Sequence, residues 1–180
     1  MERSFTLIEL LVAISILVIL TAMSVPSLKR VLQSYSLLRS VQILISNLRK
    51  AQSLAMGLKD YYGAKIYGYG ISLDSNGIFL FVDCNNNGTL QDGNVCQRQG
   101  GPNLPEKISS INLEKGVTID KLTQGGINVN SLHILFLPPR GQAKFNGTFN
   151  PNSQASIVLK NSLNETKTIY IKSNGLIYSQ

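Results

Sequence analysis

From Leu7 to Met23 the chain is apolar at almost every position, interrupted by Glu9 and by isolated Ser and Thr residues. A run of this kind predicts a helix approaching the length needed to cross hydrocarbon. Glu9 is the anomaly. Placing an ionised side chain inside a bilayer costs on the order of 2.5 kcal/mol or more, so a carboxylate near the start of such a segment implies a function and a positive partner. After Pro26, which a helix embedded in protein and lipid tolerates with a kink, Leu28, Val31, Tyr35, Leu38, Ile45, Leu48 and Ala55 recur at three- and four-residue intervals. That spacing predicts an amphipathic continuation with these residues on one face. It should end near Met56-Gly57, because Gly is a common C-terminal stop. One long helix from Phe5 to about Leu58 is expected, half membrane span and half stalk.

The period then changes from helical to alternating. Lys65 to Leu73 and Ile78 to Val82 read as two strands, and the intervening Asp74-Ser75-Asn76-Gly77 is a turn signal that pairs them as a hairpin. Further strands are expected at Val117 to Asp120, Leu132 to Leu137, Gly141 to Phe145, Ala155 to Lys160, Thr168 to Lys172 and Leu176 to Tyr178. Pro138-Pro139-Arg140-Gly141 and Ser173-Asn174-Gly175 mark turns between them. The expected fold class is α+β: a long N-terminal helix packed on a C-terminal antiparallel β-sheet domain. Tyr61, Tyr62, Tyr67 and Tyr69 read as packing residues of this domain rather than as a stacking platform for single-stranded nucleic acid.

With 180 residues, the chain is sized for one domain and an appendage. Its net charge of +7 is too diffuse to name a partner, and Lys29, Arg30, Arg39, Arg49, Lys50 and Lys59 read as a solvated helix face. His133 is the single histidine and reads as structural, which argues against a multi-histidine metal centre. No nucleophile with a base, no carboxylate pair at a useful spacing and no phosphate-cradling glycine loop is evident, so an enzyme is not expected.

Cys84 and Cys96 lie close together in the segment that would stand outside the membrane, where a disulfide fits an oxidising compartment. Between them, Asp83-Cys84-Asn85-Asn86-Asn87-Gly88 matches the first half of a calcium loop, with Asp83, Asn85, Asn87 and the later Asp92 as candidate ligands. The closing bidentate Glu is replaced by Asn94. An Asn-rich turn is therefore the favoured reading and calcium the weaker alternative; no other cofactor is expected.

Three readings of the N-terminus compete. A secretory signal would be cut near Ala22-Met23-Ser24, and a plain anchor would simply span, but both leave Glu9 unexplained. In the third, Phe5-Thr6-Leu7-Ile8-Glu9-Leu10 resembles the signature of type IV prepilins and type II secretion pseudopilins. The resemblance implies cleavage by a prepilin peptidase between Ser4 and Phe5, with methylation of the new Phe5 amine. Ser4 departs from the Gly usual at that place. Glu9 lies one turn from the new terminus, and the resemblance implies that it pairs with the N-terminal amine of a neighbouring subunit during filament assembly.

The order of elements further resembles the H-type minor pseudopilins and FimT-like minor pilins. The implied organisation is a leader (residues 1–4), a transmembrane and filament-core helix (5–28), an amphipathic stalk (29–59) and a periplasmic β-rich domain (60–180). The implied function is that of a minor pseudopilin of type II secretion, anchored once in the bacterial inner membrane. The alternative is a FimT-like minor pilin involved in pilus assembly or DNA uptake. Partners would be other pilins or pseudopilins, the peptidase, the membrane and secreted exoproteins. Nucleic acid is not expected, because the tail from Ser173 to Gln180 contains no Arg.

Overall fold

The computed structural model describes residues 6–57, 60–91, 93–98 and 100–180, with residues 22–27 described by their backbone alone. Helix α1 (Leu7–Met56) runs unbroken through Pro26 and stops at Gly57, whose N–H is held by Ser53 and Ala55 carbonyls. Twelve strands follow: β1 (Gly68–Asp74), β2 (Gly77–Asp83), β3 (Val95–Cys96), β4 (Leu104–Pro105), β5 (Lys107–Ile111), β6 (Val117–Gln124), β7 (Ile127–Asn128), β8 (Leu132–Leu137), β9 (Gln142–Phe145), β10 (Gln154–Asn161), β11 (Thr166–Lys172) and β12 (Ile177–Ser179).

The expected single sheet is two. One has the order β5-β2-β1-β8-β9, the other β12-β11-β10-β6-β7, and β3 and β4 form a separate ribbon. The pairings named here are antiparallel. The division arises because β8 returns to pair with β1, Tyr69 opposite Phe136, whereas β6 pairs with β10, Val117 opposite Asn161. Such non-local partnerships leave no mark in local periodicity.

Helix α1 packs on both sheets from Leu37 onward. Leu37, Val41, Leu44, Ile45, Leu48, Ala51 and Ala55 are buried against Ile71, Ile134, Ile157, Ile169 and their neighbours in one continuous core. This corrects the stalk face read from spacing. Ile45, Leu48 and Ala55 are inside, but Leu28, Val31, Tyr35 and Leu38 are 50–65% exposed. Tyr35 and Leu38 lie at levels the second sheet reaches, where Ser34 and Leu37 meet it, and are exposed because they face away from the buried stripe of Leu37, Val41, Leu44 and Leu48; Leu28 and Val31 precede that stripe.

Polar side chains fasten the helix at three levels. Gln52 Nε2 donates to the carbonyls of Gly175 (2.8 Å) and Gly141 (3.2 Å). Arg39 pairs with Glu114 at 3.0 Å, while Ser40 Oγ accepts from the Glu114 N–H. Ser34 Oγ donates to Glu165 Oε2 at 2.7 Å, and Asn161 Nδ2 donates to the same oxygen.

Among the described residues no helix is long and apolar enough to cross a membrane. The apolar run whose side chains are described ends at Thr21, short of the ~20 residues that a span needs.

Candidate functional site

Two regions hold the residues singled out from sequence. The first is the start of α1. Thr6 is its N-cap: Thr6 Oγ1 accepts from the Glu9 N–H at 3.4 Å, and Glu9 Oε2 accepts from the Thr6 N–H (3.3 Å) and hydroxyl (3.1 Å). This reciprocal capping box satisfies N–H groups that no preceding turn can reach. It also holds the Glu9 carboxylate at the positive end of the helix dipole. The cap was not read from the sequence, although Thr-x-x-Glu before an apolar run is the capping-box pattern. Leu7, Ile8, Leu10 and Leu11 around it are each more than half exposed. Ser4 and Phe5 lie outside the described residues.

The second region is the loop after β2. On the outer face of the first sheet, Gly70 stands opposite Phe81 and Leu135. A Cβ on Gly70 would fall 2.7 Å from the Phe81 ring, so glycine lets that ring close over the strand. Asp83 continues the row of Phe79 and Phe81 and is fully buried. Its Oδ1 accepts from the N–H groups of Asn85 (3.2 Å) and Asn86 (2.7 Å), and its Oδ2 from Gly88 (3.0 Å). Asn85 and Asn87 repeat the device, each side-chain oxygen accepting the N–H two residues on, at 2.9 Å. Three of the residues nominated for calcium, Asp83, Asn85 and Asn87, thus build an Asn-rich turn, as Asx side chains do. Asp92 lies outside the described residues, among which no group of three acidic, His or Cys side chains could hold a metal.

Cys84 and Cys96 form a disulfide with Cα atoms 5.2 Å apart. Closing a loop of this length contributes about 3 kcal/mol on the chain-entropy account. The pinned loop lies over the outer face of the first sheet. There the Leu90 N–H donates to His133 Nδ1 at 3.4 Å, which places the ring proton on Nε2. Burial lowers the pKa of His133, with Asp74 opposing. His133 thus accepts from the loop backbone and meets the Phe81 ring edge-on.

Glu106 is the residue that sequence reasoning missed, and no local pattern signals it. It is fully buried, and its Oε1 accepts the Cys84 N–H at 3.1 Å. Burial raises its pKa; the Cys84 N–H and the nearby Asn94 amide act the other way, and Asp83 adds to the rise. Asn94 Nδ2 and Glu106 Oε2, both buried, form no well-shaped hydrogen bond among the described residues.

Residues 1–25 match a family model described as the prokaryotic N-terminal methylation motif. The chain therefore carries a type IV prepilin-like N-terminus, of the kind shared by pilins and pseudopilins. Such an N-terminus implies processing by a prepilin peptidase and assembly into a pilus or pseudopilus filament. No curated protein and no solved structure matches the chain.

Proposed function

We propose that the chain is a minor pseudopilin of type II secretion, a structural subunit that helps start or tip a periplasmic pseudopilus. The observation that carries this reading is the uncovered length of α1. From Leu7 to Leu20 its large apolar side chains are at least half exposed, and the exposure continues through Leu28, Val31, Tyr35 and Leu38. An apolar surface of that extent requires lipid or neighbouring helices to cover it. Glu9, at the start of this surface, supplies one polar contact through which a neighbour's amine can set the register of assembly.

In this reading residues 5–28 span the bacterial inner membrane once, and the β domain stands in the periplasm, where the Cys84–Cys96 disulfide is stable. We assign the chain no reaction and no cofactor; it acts by recognition and packing. The secretion role is preferred to DNA uptake because the last hairpin offers no cluster of cations. Its Lys172 ammonium lies over the Tyr178 ring, 5.9 Å from the centroid, and phosphate binding needs several such charges together.

The reading is tested on protein extracted from native membranes. The expected N-terminus is methylated Phe5, and the expected co-purifying chains are secretion pseudopilins. An N-terminus beyond Ala22 contradicts prepilin processing, and co-purification with pilus subunits alone contradicts the secretion role.

A further inference from the structure

Three polar contacts fix how the second sheet is oriented along α1. Gln52, late in the helix, meets Gly175 in the turn after β11, whereas Ser34, much earlier, meets Glu165 just before β11. Gln33 carbonyl accepts from Asn161 Nδ2 at the end of β10. β11 therefore runs in the direction of α1, and the turn joining β10 to β11, Ser162-Leu163-Asn164, points back toward the helix N-terminus. All three turn residues are exposed, Leu163 among them at 38%.

The height of this tip follows from the helix rise. The span proposed above ends at Leu28, and Ser34 lies about 9 Å further along the axis at 1.5 Å per residue. The tip hangs below Ser34, at the level of Lys29 and Arg30. Arg30 shares a helix face with Ser34, and its charge bears on Glu165 beside the tip. Each bilayer interface is about 6 Å deep beyond the hydrocarbon. A helix whose apolar part fills the bilayer thus sets the tip within the headgroup layer.

Charge around the tip is predominantly positive. Among the described residues the two ion pairs are Arg39–Glu114 and Lys160–Asp120. Glu165 is turned toward Ser34 and Asn161. Lys29, Arg30 and Lys115 are exposed. The turn holding Lys115 adjoins the tip, since a Cβ on Gly116 would sit 3.8 Å from Ser162 Oγ.

We propose that the Ser162–Asn164 tip, with Lys29, Arg30 and Lys115 around it, docks on anionic phospholipid headgroups of the membrane that α1 enters. The proposal rests on the spanning role given to α1 above. Leu163 enters the interface while the cations meet phosphates, so the membrane-stored subunit stands with its β domain seated on the bilayer. Raising the helix into a filament breaks this contact, which makes anionic lipid a brake on extraction.

The test uses the full chain reconstituted into vesicles of phosphatidylcholine, with or without phosphatidylglycerol. Single fluorophores are placed at Ser15→Cys or Ser162→Cys, and quenchers are carried on acyl chains or on headgroups. The expected result is acyl-chain quenching at position 15 in both lipids, and headgroup quenching at position 162 that is strong only with phosphatidylglycerol. Each of Lys29→Gln, Arg30→Gln and Lys115→Gln should lower the docked-to-undocked ratio about fivefold. A position-15 probe in hydrocarbon with a position-162 probe equally unquenched in both lipids overturns the docking alone. A position-15 probe left in water overturns the span, and the docking with it.

Discussion

Gly88 and Gly147 meet backbone to backbone: a Cβ on Gly88 would stand 2.7 Å from the Gly147 Cα, and one on Gly147 would stand 2.5 Å from the Asn87 carbonyl oxygen. Each belongs to an Asn-Gly-Thr turn and has positive φ, 73° and 77°. The disulfide-pinned loop is thereby seated on the turn after β9. Gly88→Ala or Gly147→Ala should cost about 2–4 kcal/mol, combining left-handed strain with overpacking. Gly126, also at positive φ (84°), has nothing within 4 Å of its Cβ position. Gly126→Ala should therefore cost only the strain, about 1–2 kcal/mol. Equal losses at the three sites in denaturant titrations would refute the close packing.

His133 gives the loop a pH dependence of definite sign. Burial lowers its pKa from the ordinary 6.5, so the fold favours the neutral ring that accepts from Leu90. Its contribution is complete above pH 6.5 and is lost as pH falls through the lowered folded value. Urea midpoints of the wild type should drop more steeply than those of His133→Phe between about pH 6.5 and pH 5. Parallel curves would remove the histidine from the account.

Glu106 titrates with the opposite sign. Its folded pKa is raised above 4.5, so its contribution is present below that value and is lost as pH rises through the folded one. Glu106→Gln keeps an acceptor for the Cys84 N–H and, once Asn94 turns its amide, gives the buried corner a donor. The variant should match the wild type at acid pH and have the higher melting temperature at neutral pH. A lower melting temperature at neutral pH would mean that the buried charge is stabilised by a partner.

Gln52 joins the helix to two turns that belong to different sheets. Gln52→Leu leaves the Gly141 and Gly175 carbonyls without their donor and should cost about 1–3 kcal/mol in chemical denaturation. A loss below about 0.5 kcal/mol would show that water replaces the amide without penalty.

Legibility from sequence followed the range of the interaction. The β1–β2 hairpin was readable because Asp74-Ser75-Asn76-Gly77 carries its own turn chemistry; the Asp74 carboxylate accepts the Asn76 N–H at 2.7 Å. Six further strands announced themselves by alternation. β5 did not, because Lys107 through Ser110 are all exposed on a sheet edge and alternate nothing. The two-residue strands β3, β4 and β7 are too short to show a period. The division into two sheets depends on which distant strands pair, and the buried Glu106 depends on how the loop folds back. In the stalk the helical period was present, but the residues taken from it mixed the buried stripe with positions turned away from it, and spacing alone could not say which of them the sheets cover.

The central claim is that Glu9 serves assembly rather than folding of the β domain. Its contacts support this separation: the carboxylate caps its own helix through Thr6, far from the core that begins at Leu37. The direct measurement follows a Glu9→Val chain in its native host, scoring membrane insertion, cleavage after Ser4 and incorporation into filaments. The account predicts insertion and cleavage as in the wild type, with incorporation lost. Normal incorporation of the cleaved variant would contradict it.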